Sequence, residues 1–155
     1  MKQFVFCLGI LLGVSCNNAA DKGLVYRHGE ELNLYLHEVH RFQFPDHNKA
    51  YPLVIPVWGC SNCIEAAFEL AQQYIHRTDF YVLITANTKK DFIPYRSYMQ
   101  QLSSNTLVDS TGKDNHYDLG IFGPVLFTSE SGRIHQFTEL NLQNIKTVFY
   151  ENFGY

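Results

Sequence analysis

The sequence has no excess of basic residues, on which many nucleic-acid-binding proteins depend. Its 12 lysines and arginines are outnumbered by 15 aspartates and glutamates, and the formal net charge is −3. Basic residues do not gather into a stripe along any one segment, as they usually do where a protein tracks a phosphate backbone. We therefore expect no nucleic acid among the partners of this protein.

Cysteines and long hydrophobic runs are also scarce. Four cysteines in 155 residues are too few for a disulfide-based scaffold. The apolar stretch from Phe4 to Leu12 is too short to span a bilayer as a helix. The chain is nevertheless 46% hydrophobic, which is ample for one packed core, and its length suits one domain and leaves little room for two.

The first residues, MKQFVFCLGILLGVSC, have the pattern of an export signal, with Lys2 before a short apolar stretch. The run from Gly13 to Cys16 resembles the lipobox of bacterial lipoproteins, in which the cysteine is lipidated and becomes the first mature residue. This resemblance implies a signal peptide at 1–15, a lipidated Cys16 with a flexible tether over 16–28, and a folded domain over 29–155. It also implies a place in the bacterial cell envelope, on the periplasmic or outer-membrane side. The alternative is an ordinary cleaved signal, with Cys16 as an incidental thiol.

Only two cysteines then remain in the folded domain. Cys7 is removed with the signal and Cys16 carries the lipid, which leaves Cys60 and Cys63 in the stretch IPVWGCSNCIEAAFEL. Outside the cytoplasm a disulfide between them would persist.

The two cysteines lie where the hydrophobic pattern changes from that of a strand to that of a helix. Residues 53–58 form an apolar run typical of a buried strand. Beyond Ser61 the apolar residues follow helical spacing, namely Ile64, Ala67, Phe68, Ala71 and Ile75. Cys60 is therefore expected at a helix N-terminus, where unpaired N–H groups stabilise a thiolate. Cys63 lies one turn inside, so the pattern predicts attack by Cys60 and resolution by Cys63.

The remaining segments predict an α/β domain with parallel strands first and an antiparallel pair last. Strands are expected at 80–84 and 107–108, and a hairpin at 125–128 and 133–137. Helices are expected at 91–102 and from Leu142 to Phe149. Residues 30–43 fit either a strand or a helix, and their length and composition favour the helix slightly.

This order of elements, together with two short motifs, resembles the thioredoxin fold. A C-x-x-C motif follows a core strand and opens a helix, and Gly123-Pro124 comes about 60 residues later, before a strand and hairpin. The stretch GIFGPVLFTSESGRI at 120–134 is similar to that of thioredoxin-like lipoproteins and cytochrome-maturation reductases. The resemblance implies a central mixed sheet flanked by helices, with a cis peptide before Pro124 that faces the cysteine pair. It assigns substrate binding to residues beside the cysteines and the proline, namely Trp58, Gly59, Ser61, Asn62, Gly123 and Pro124.

The function implied is extracytoplasmic thiol–disulfide exchange, as a reductase of protein disulfides. The partners would be protein thiol or disulfide clients and an electron donor that the sequence does not name, with the membrane contacted through the lipid anchor. We expect a monomer that needs no cofactor beyond the redox-active pair Cys60–Cys63.

Three other interpretations of the C-x-x-C motif stay open. An inert disulfide would close a loop of only a few residues, which stabilises a fold poorly. Structural zinc needs four ligands, and one C-x-x-C motif supplies two, so no metal is assigned. A copper chaperone or a non-enzymatic binding module is the main alternative, with His116 or His135 as a third copper ligand.

Trp58 is as readily an ordinary core residue as an apolar wall beside Cys60. Three nearby aspartates lack the spacing of a calcium loop and are interpreted as turn formers, namely Asp109, Asp114 and Asp118.

Overall fold

The computed structural model describes residues 24–102 and 105–154, which form an α/β domain. Its strands are β1 (Leu24–Val25), β2 (Tyr51–Pro56), β3 (Phe80–Thr85), β4 (Thr106–Asp109), β5 (Val125–Glu130) and β6 (Arg133–Glu139). They make one mixed sheet in the order β1-β6-β5-β2-β3-β4. Strands β2, β3 and β4 are parallel, while β5 and β6 continue the sheet antiparallel and β1 pairs antiparallel with β6. The predicted fold class is confirmed, and the sheet is consistent with a thioredoxin-like α/β fold.

Helices cover both faces of this sheet. They are α1 (Gly29–His40), α2 (Ser61–Tyr74), α3 (Arg96–Met99) and α4 (Ile145–Phe153). Leu53 and Ile55 of β2 pack in a core with α2 and α4, whereas Val54 packs in a second core with α1. Because successive side chains of a strand point to opposite faces, a strand covered on both sides is apolar at every position. This explains the unbroken hydrophobic run before the cysteines.

Helix α1 settles the ambiguity over residues 30–43 in favour of the helix. Leu32 and Tyr35 are fully buried and Leu36 nearly so, as a helical stripe requires. Leu34, which the strand pattern would have buried with them, is 49% exposed. The helix ends at Arg41, which adopts the left-handed conformation with φ of 53°.

The hairpin is confirmed, with a turn that explains its sequence. Ser131 and Gly132 both have positive φ angles, 51° and 72°. Two central residues of positive φ are what a type I′ turn requires, and this turn matches the twist of the strands it joins.

Two expected helices differ from their predicted bounds. Residues 91–102 form a 3₁₀ turn at Ile93–Tyr95 followed by the single turn of α3, because Pro94 has no N–H to continue a hydrogen-bond ladder. Helix α4 begins at Ile145, so Leu142 lies outside it and is 51% exposed.

Residues 24–28, which the sequence assigned to the tether, already contact the domain. Leu24 and Val25 pair with β6, and Tyr26 is buried with its hydroxyl donating to the carbonyl of Leu119. A strand of two residues has too little periodicity to be recognised in a sequence. The predicted signal peptide, lipidated Cys16 and most of the tether lie outside the described residues.

A buried polar cluster ties α1 to the end of β4. The Asp109 carboxylate accepts hydrogen bonds from the Tyr35 hydroxyl (3.0 Å), the Thr111 amide and hydroxyl (2.8 and 2.6 Å) and the Asp114 amide (3.2 Å). Since Tyr35 donates its only proton to Asp109, Nε2 of His40, 3.3 Å from the tyrosine oxygen, must carry the donor proton of that contact. Asp109 is thus the turn former that the sequence suggested, and its hydrogen bond from Tyr35 also links the end of β4 to α1.

Candidate functional site

The cysteine pair lies at the carboxyl end of β2, where the chain turns into α2. Val57 still follows the sheet, donating its N–H to the Thr85 carbonyl at 2.9 Å. Gly59 then adopts a φ of +104°, a region that side chains other than glycine rarely enter. Cys60 is the N-cap of α2, and its carbonyl accepts the first helical hydrogen bond, from the Ile64 amide at 3.0 Å. The glycine between Trp58 and Cys60 is therefore required by the turn.

The structure places the two thiols together, as the C-x-x-C spacing predicted. The Sγ atoms of Cys60 and Cys63 are 2.6 Å apart, with the Cys63 S–H directed at the Cys60 sulfur. Both cysteines are free thiols, Cys60 exposed and Cys63 partly buried. A disulfide between them needs no movement of the backbone, since the sulfur atoms are already adjacent.

The pKa values of the two thiols are shifted in opposite directions. The pKa of Cys60 is lowered, first by the hydrogen bond from the Cys63 thiol and then by the backbone amides of Cys63 and Asn62. Neither amide makes a capping hydrogen bond of normal geometry, so both act as dipoles at the start of the helix. The pKa of Cys63 is raised, first by its bond to Cys60 and then by burial. Cys60 is consequently the better nucleophile of the pair.

Cys60 is expected to be alkylated by iodoacetamide with a pH midpoint below the ordinary cysteine value of about 8.5. The same chain unfolded in urea is the matched control, because it has no helix N-terminus and its midpoint should return to about 8.5. Mass spectrometry of the Cys60 adduct as a function of pH gives both values. A folded midpoint equal to the unfolded one would show that the helix does not activate this thiol.

Three segments distant in the sequence border the thiols. A methyl group at Gly59 would lie 3.5 Å from the Phe122 carbonyl oxygen, so the loop before β5 runs beside the motif. Burial raises the pKa of Tyr95, in the 3₁₀ turn, and the charges of Glu65 and then Cys60 raise it further. The backbone N–H of Leu142 faces Cys63 and lowers the pKa of that thiol.

Each of these three segments carries an exposed apolar side chain. Phe122 is 83% exposed, the most exposed of the large apolar side chains in the described residues, and Leu142 and Ile93 are about half exposed. Trp58 is half-buried. Its burial is therefore intermediate between that of a core residue and that of an exposed apolar wall beside Cys60, the two roles that the sequence allowed. Sequence reasoning missed Phe122, Tyr95 and Leu142 as site residues. The only local signal for any of them was Phe122, one of two apolar residues between Gly120 and Gly123.

The other residues expected to bind substrate differ in their exposure. Ser61 and Asn62 are exposed on the first turn of α2. Gly123 is half-buried, and open space surrounds the position of a side chain there. Pro124 is buried, and its carbonyl accepts the Leu140 N–H at 2.8 Å.

The expectation of a cis peptide before Pro124 is wrong. None of the peptide bonds in the described chain is cis, so Gly123–Pro124 is trans. The trans form is favoured by about 0.5–1 kcal/mol even before proline.

Among the described residues, no third metal ligand joins the cysteine pair. Within residues 24–102 and 105–154, no three His, Cys, Asp or Glu side chains are grouped so that they could hold a metal ion. His135 lies on β6 with Nε2 3.2 Å from the Glu130 carbonyl, and His116 ends the 3₁₀ turn Lys113–His116. Neither of these two histidines therefore completes a copper site with the thiols.

No protein-family model matches this sequence, and no curated protein matches it. The part of the chain that the structure describes contains no helix long and apolar enough to cross a membrane. The function has to be inferred from the residues of the site and their geometry.

Proposed function

We propose that this protein is a thioredoxin-like thiol–disulfide oxidoreductase of the cell envelope, anchored through Cys16 and working as a reductase of protein disulfides. The adjacent and electrostatically unequal thiols of Cys60 and Cys63 carry the proposal. A structural disulfide would gain nothing from an exposed, activated sulfur at a helix N-terminus.

The reaction follows from this asymmetry. The Cys60 thiolate attacks one sulfur of a client disulfide, forms a mixed disulfide and releases the first client thiolate. The Cys63 thiolate then attacks Cys60 Sγ, breaks the mixed disulfide and releases the second client thiolate. The client gains two electrons, the Cys60–Cys63 pair becomes a disulfide, and a dithiol donor returns the two electrons. The apolar surface at Phe122 suits a client polypeptide, whose own apolar side chains it would cover.

The test is the reduction potential of the Cys60–Cys63 pair. The protein is equilibrated in thiol buffers of known potential, and free thiols are trapped by alkylation. The mass of the tryptic peptide between Lys49 and Arg77 is then measured, because it shows whether the two thiols were free or oxidised. That peptide contains both site cysteines and excludes Cys7 and Cys16. We expect a value near that of thioredoxin, about −270 mV, as a reductase requires.

Other outcomes would correct or overturn the proposal. A value approaching about −120 mV would mark an oxidant and reverse the proposed direction. A pair that does not cycle at all would overturn the enzymatic function. Stoichiometric Cu(I) binding by such an inert pair would instead support the copper chaperone, which gains no third ligand from the described residues.

A further inference from the structure

The loop that carries Phe122 past the cysteine turn has few backbone contacts of its own. This site loop comprises residues 117–124, and its last residue, Pro124, is bonded through its carbonyl to the segment after β6 at 2.8 Å. Within the described chain, the backbone groups of residues 120–123 make no hydrogen bond, although the half-buried Ile121 packs against the second core. The position of Phe122 therefore depends on the contacts that hold the loop ahead of residue 120.

The entry segment, residues 24–28, supplies one of these contacts through Tyr26. This side chain is buried, 8% exposed, and its hydroxyl donates a hydrogen bond to the Leu119 carbonyl. The ring lies edge-on to Phe127 with 4.7 Å between the ring centroids, and the Tyr26 N–H donates to the His135 carbonyl at 3.1 Å. Because both ring and backbone are fixed to the sheet, the hydroxyl holds Leu119 at a defined place.

His28 contacts the residues on either side of Leu119. Its Nδ1 lies 3.6 Å from the carboxylate of Asp118. A methyl group at Gly120 would lie only 3.2 Å from Nε2 of the same ring, and the φ of this glycine is +58°. The lack of a side chain at Gly120 thus lets the imidazole lie against the loop. The entry segment therefore contacts three successive loop residues.

These contacts end two residues before Phe122, a distance of about 7 Å at most along the chain. The Phe122 carbonyl oxygen lies 3.5 Å from where a methyl group at Gly59 would be, next to Cys60. The Phe122 side chain is 83% exposed. A displacement of the loop at Leu119 would therefore move this side chain relative to the cysteine turn.

We propose that Tyr26 and His28 are positioning residues, which hold the site loop against the cysteine turn so that Phe122 contacts a client polypeptide whose disulfide reaches Cys60. The role in client binding rests on the proposed thiol–disulfide exchange. The restraint on the loop itself can be measured without any client.

The restraint is tested with Tyr26→Phe, which removes the hydroxyl and keeps the packed ring. Tyr51→Phe is the matched control, because its hydroxyl makes no hydrogen bond in the described chain and Tyr51 begins β2, at the end of the strand away from the cysteines. NMR relaxation gives order parameters for the Phe122 and Gly123 amides. These should fall below about 0.6, the flexible range, in Tyr26→Phe and in His28→Ala, and stay at the wild-type value in Tyr51→Phe.

The use of the restraint is tested by turnover of a disulfide-containing protein with a dithiol donor. Tyr26→Phe should raise KM about fivefold, the effect of losing one neutral hydrogen bond. It should leave kcat and the pH midpoint of Cys60 alkylation unchanged, because the groups that activate Cys60 belong to α2. In a Phe122→Ala background, Tyr26→Phe should change KM by less than about twofold, because the side chain through which it acts is gone.

The outcomes separate this inference from the proposed function. Equal order parameters in Tyr26→Phe and Tyr51→Phe would overturn the restraint, and wild-type values in His28→Ala would overturn the part of His28. A more mobile loop with an unchanged KM, or a fivefold effect that persists without the Phe122 side chain, would overturn the role in client binding. A cysteine pair that fails to cycle, with the loop made mobile only by Tyr26→Phe and His28→Ala, would overturn the exchange function and confirm the restraint.

Discussion

Replacing Cys60 by serine is expected to abolish reduction of protein disulfides, with a loss of at least about 10³-fold in rate. A serine hydroxyl stays protonated at neutral pH, whereas the Cys60 thiol ionises more readily than an ordinary cysteine because Cys63 and the first amides of α2 stabilise its charge. Cys63 is a poor replacement as the attacking group, because it is partly buried and lies inside the helix rather than at its N-terminus. The measurement is turnover of a disulfide-containing protein with a dithiol donor.

Replacing Cys63 by serine should have a different consequence, because only the second step is lost. Cys60 still attacks, and the mixed disulfide it forms has no resolving thiol. Adducts of client proteins should then appear on non-reducing gels and disappear with dithiothreitol. The wild-type protein is the control, since it keeps both thiols and can resolve the mixed disulfide. Adducts formed by Cys60→Ser and absent from Cys63→Ser would show that the roles of the thiols are reversed.

Replacing Asp109 by alanine is expected to cost about 3–5 kcal/mol of the free energy of unfolding. The carboxylate is 3% exposed, and it accepts hydrogen bonds from the buried Tyr35 hydroxyl and from Thr111 and Asp114. Alanine leaves these donors without acceptors in the interior, which is the most damaging way to break a buried polar network. Urea unfolding at neutral pH measures the loss, and Asp118→Ala, at an 84% exposed side chain, should change stability by less than about 0.5 kcal/mol.

The cost of Asp109→Ala should also depend on pH. Burial alone would raise the pKa of Asp109, but the hydrogen bonds from Thr111 and Tyr35 and the Asp114 amide outweigh it, and the folded pKa is lowered. A lowered folded pKa means that the carboxylate stabilises the fold above its unfolded pKa of about 3.9, and that this contribution is lost as the pH falls through the folded value. The difference between wild type and Asp109→Ala should therefore shrink below about pH 4. A difference unchanged at low pH would show that the charge of Asp109 contributes nothing.

The pKa of Asp114, in the same cluster, is shifted in the opposite direction. Burial and the neighbouring charge of Asp109 raise its pKa, and its Oδ1 is buried without a hydrogen-bond partner. Its preference for the protonated form stabilises the fold below the unfolded pKa, and this stabilisation is lost as the pH rises through the folded value. The pH dependence attributed to Asp109 is therefore best measured in an Asp114→Asn background, which removes the opposing titration.

The regular elements could be predicted because their signals are local. The apolar run of β2, the helical stripe of α2 and the turn between β5 and β6 are each contained in a short window of sequence. Expectations failed where a single residue decides between conformations of similar energy. The peptide before Pro124 is one example, since the two isomers differ by only about 0.5–1 kcal/mol. The other is the stretch from Asp91 to Leu102, where Pro94 reduces a helix to two short turns.

The sequence by itself determined the α/β class and the position of Cys60 at the start of a helix, and it predicted unequal roles for two thiols separated by one helical turn. Only the tertiary structure brought Tyr95, Phe122 and Leu142 to those thiols, because contacts between residues so far apart in the chain depend on how the sheet and its loops pack. Leu142 shows the limit most clearly. Its apolar side chain indicated a core position, yet the group that faces Cys63 is its backbone N–H, which every residue except proline has and which therefore leaves no trace in a sequence.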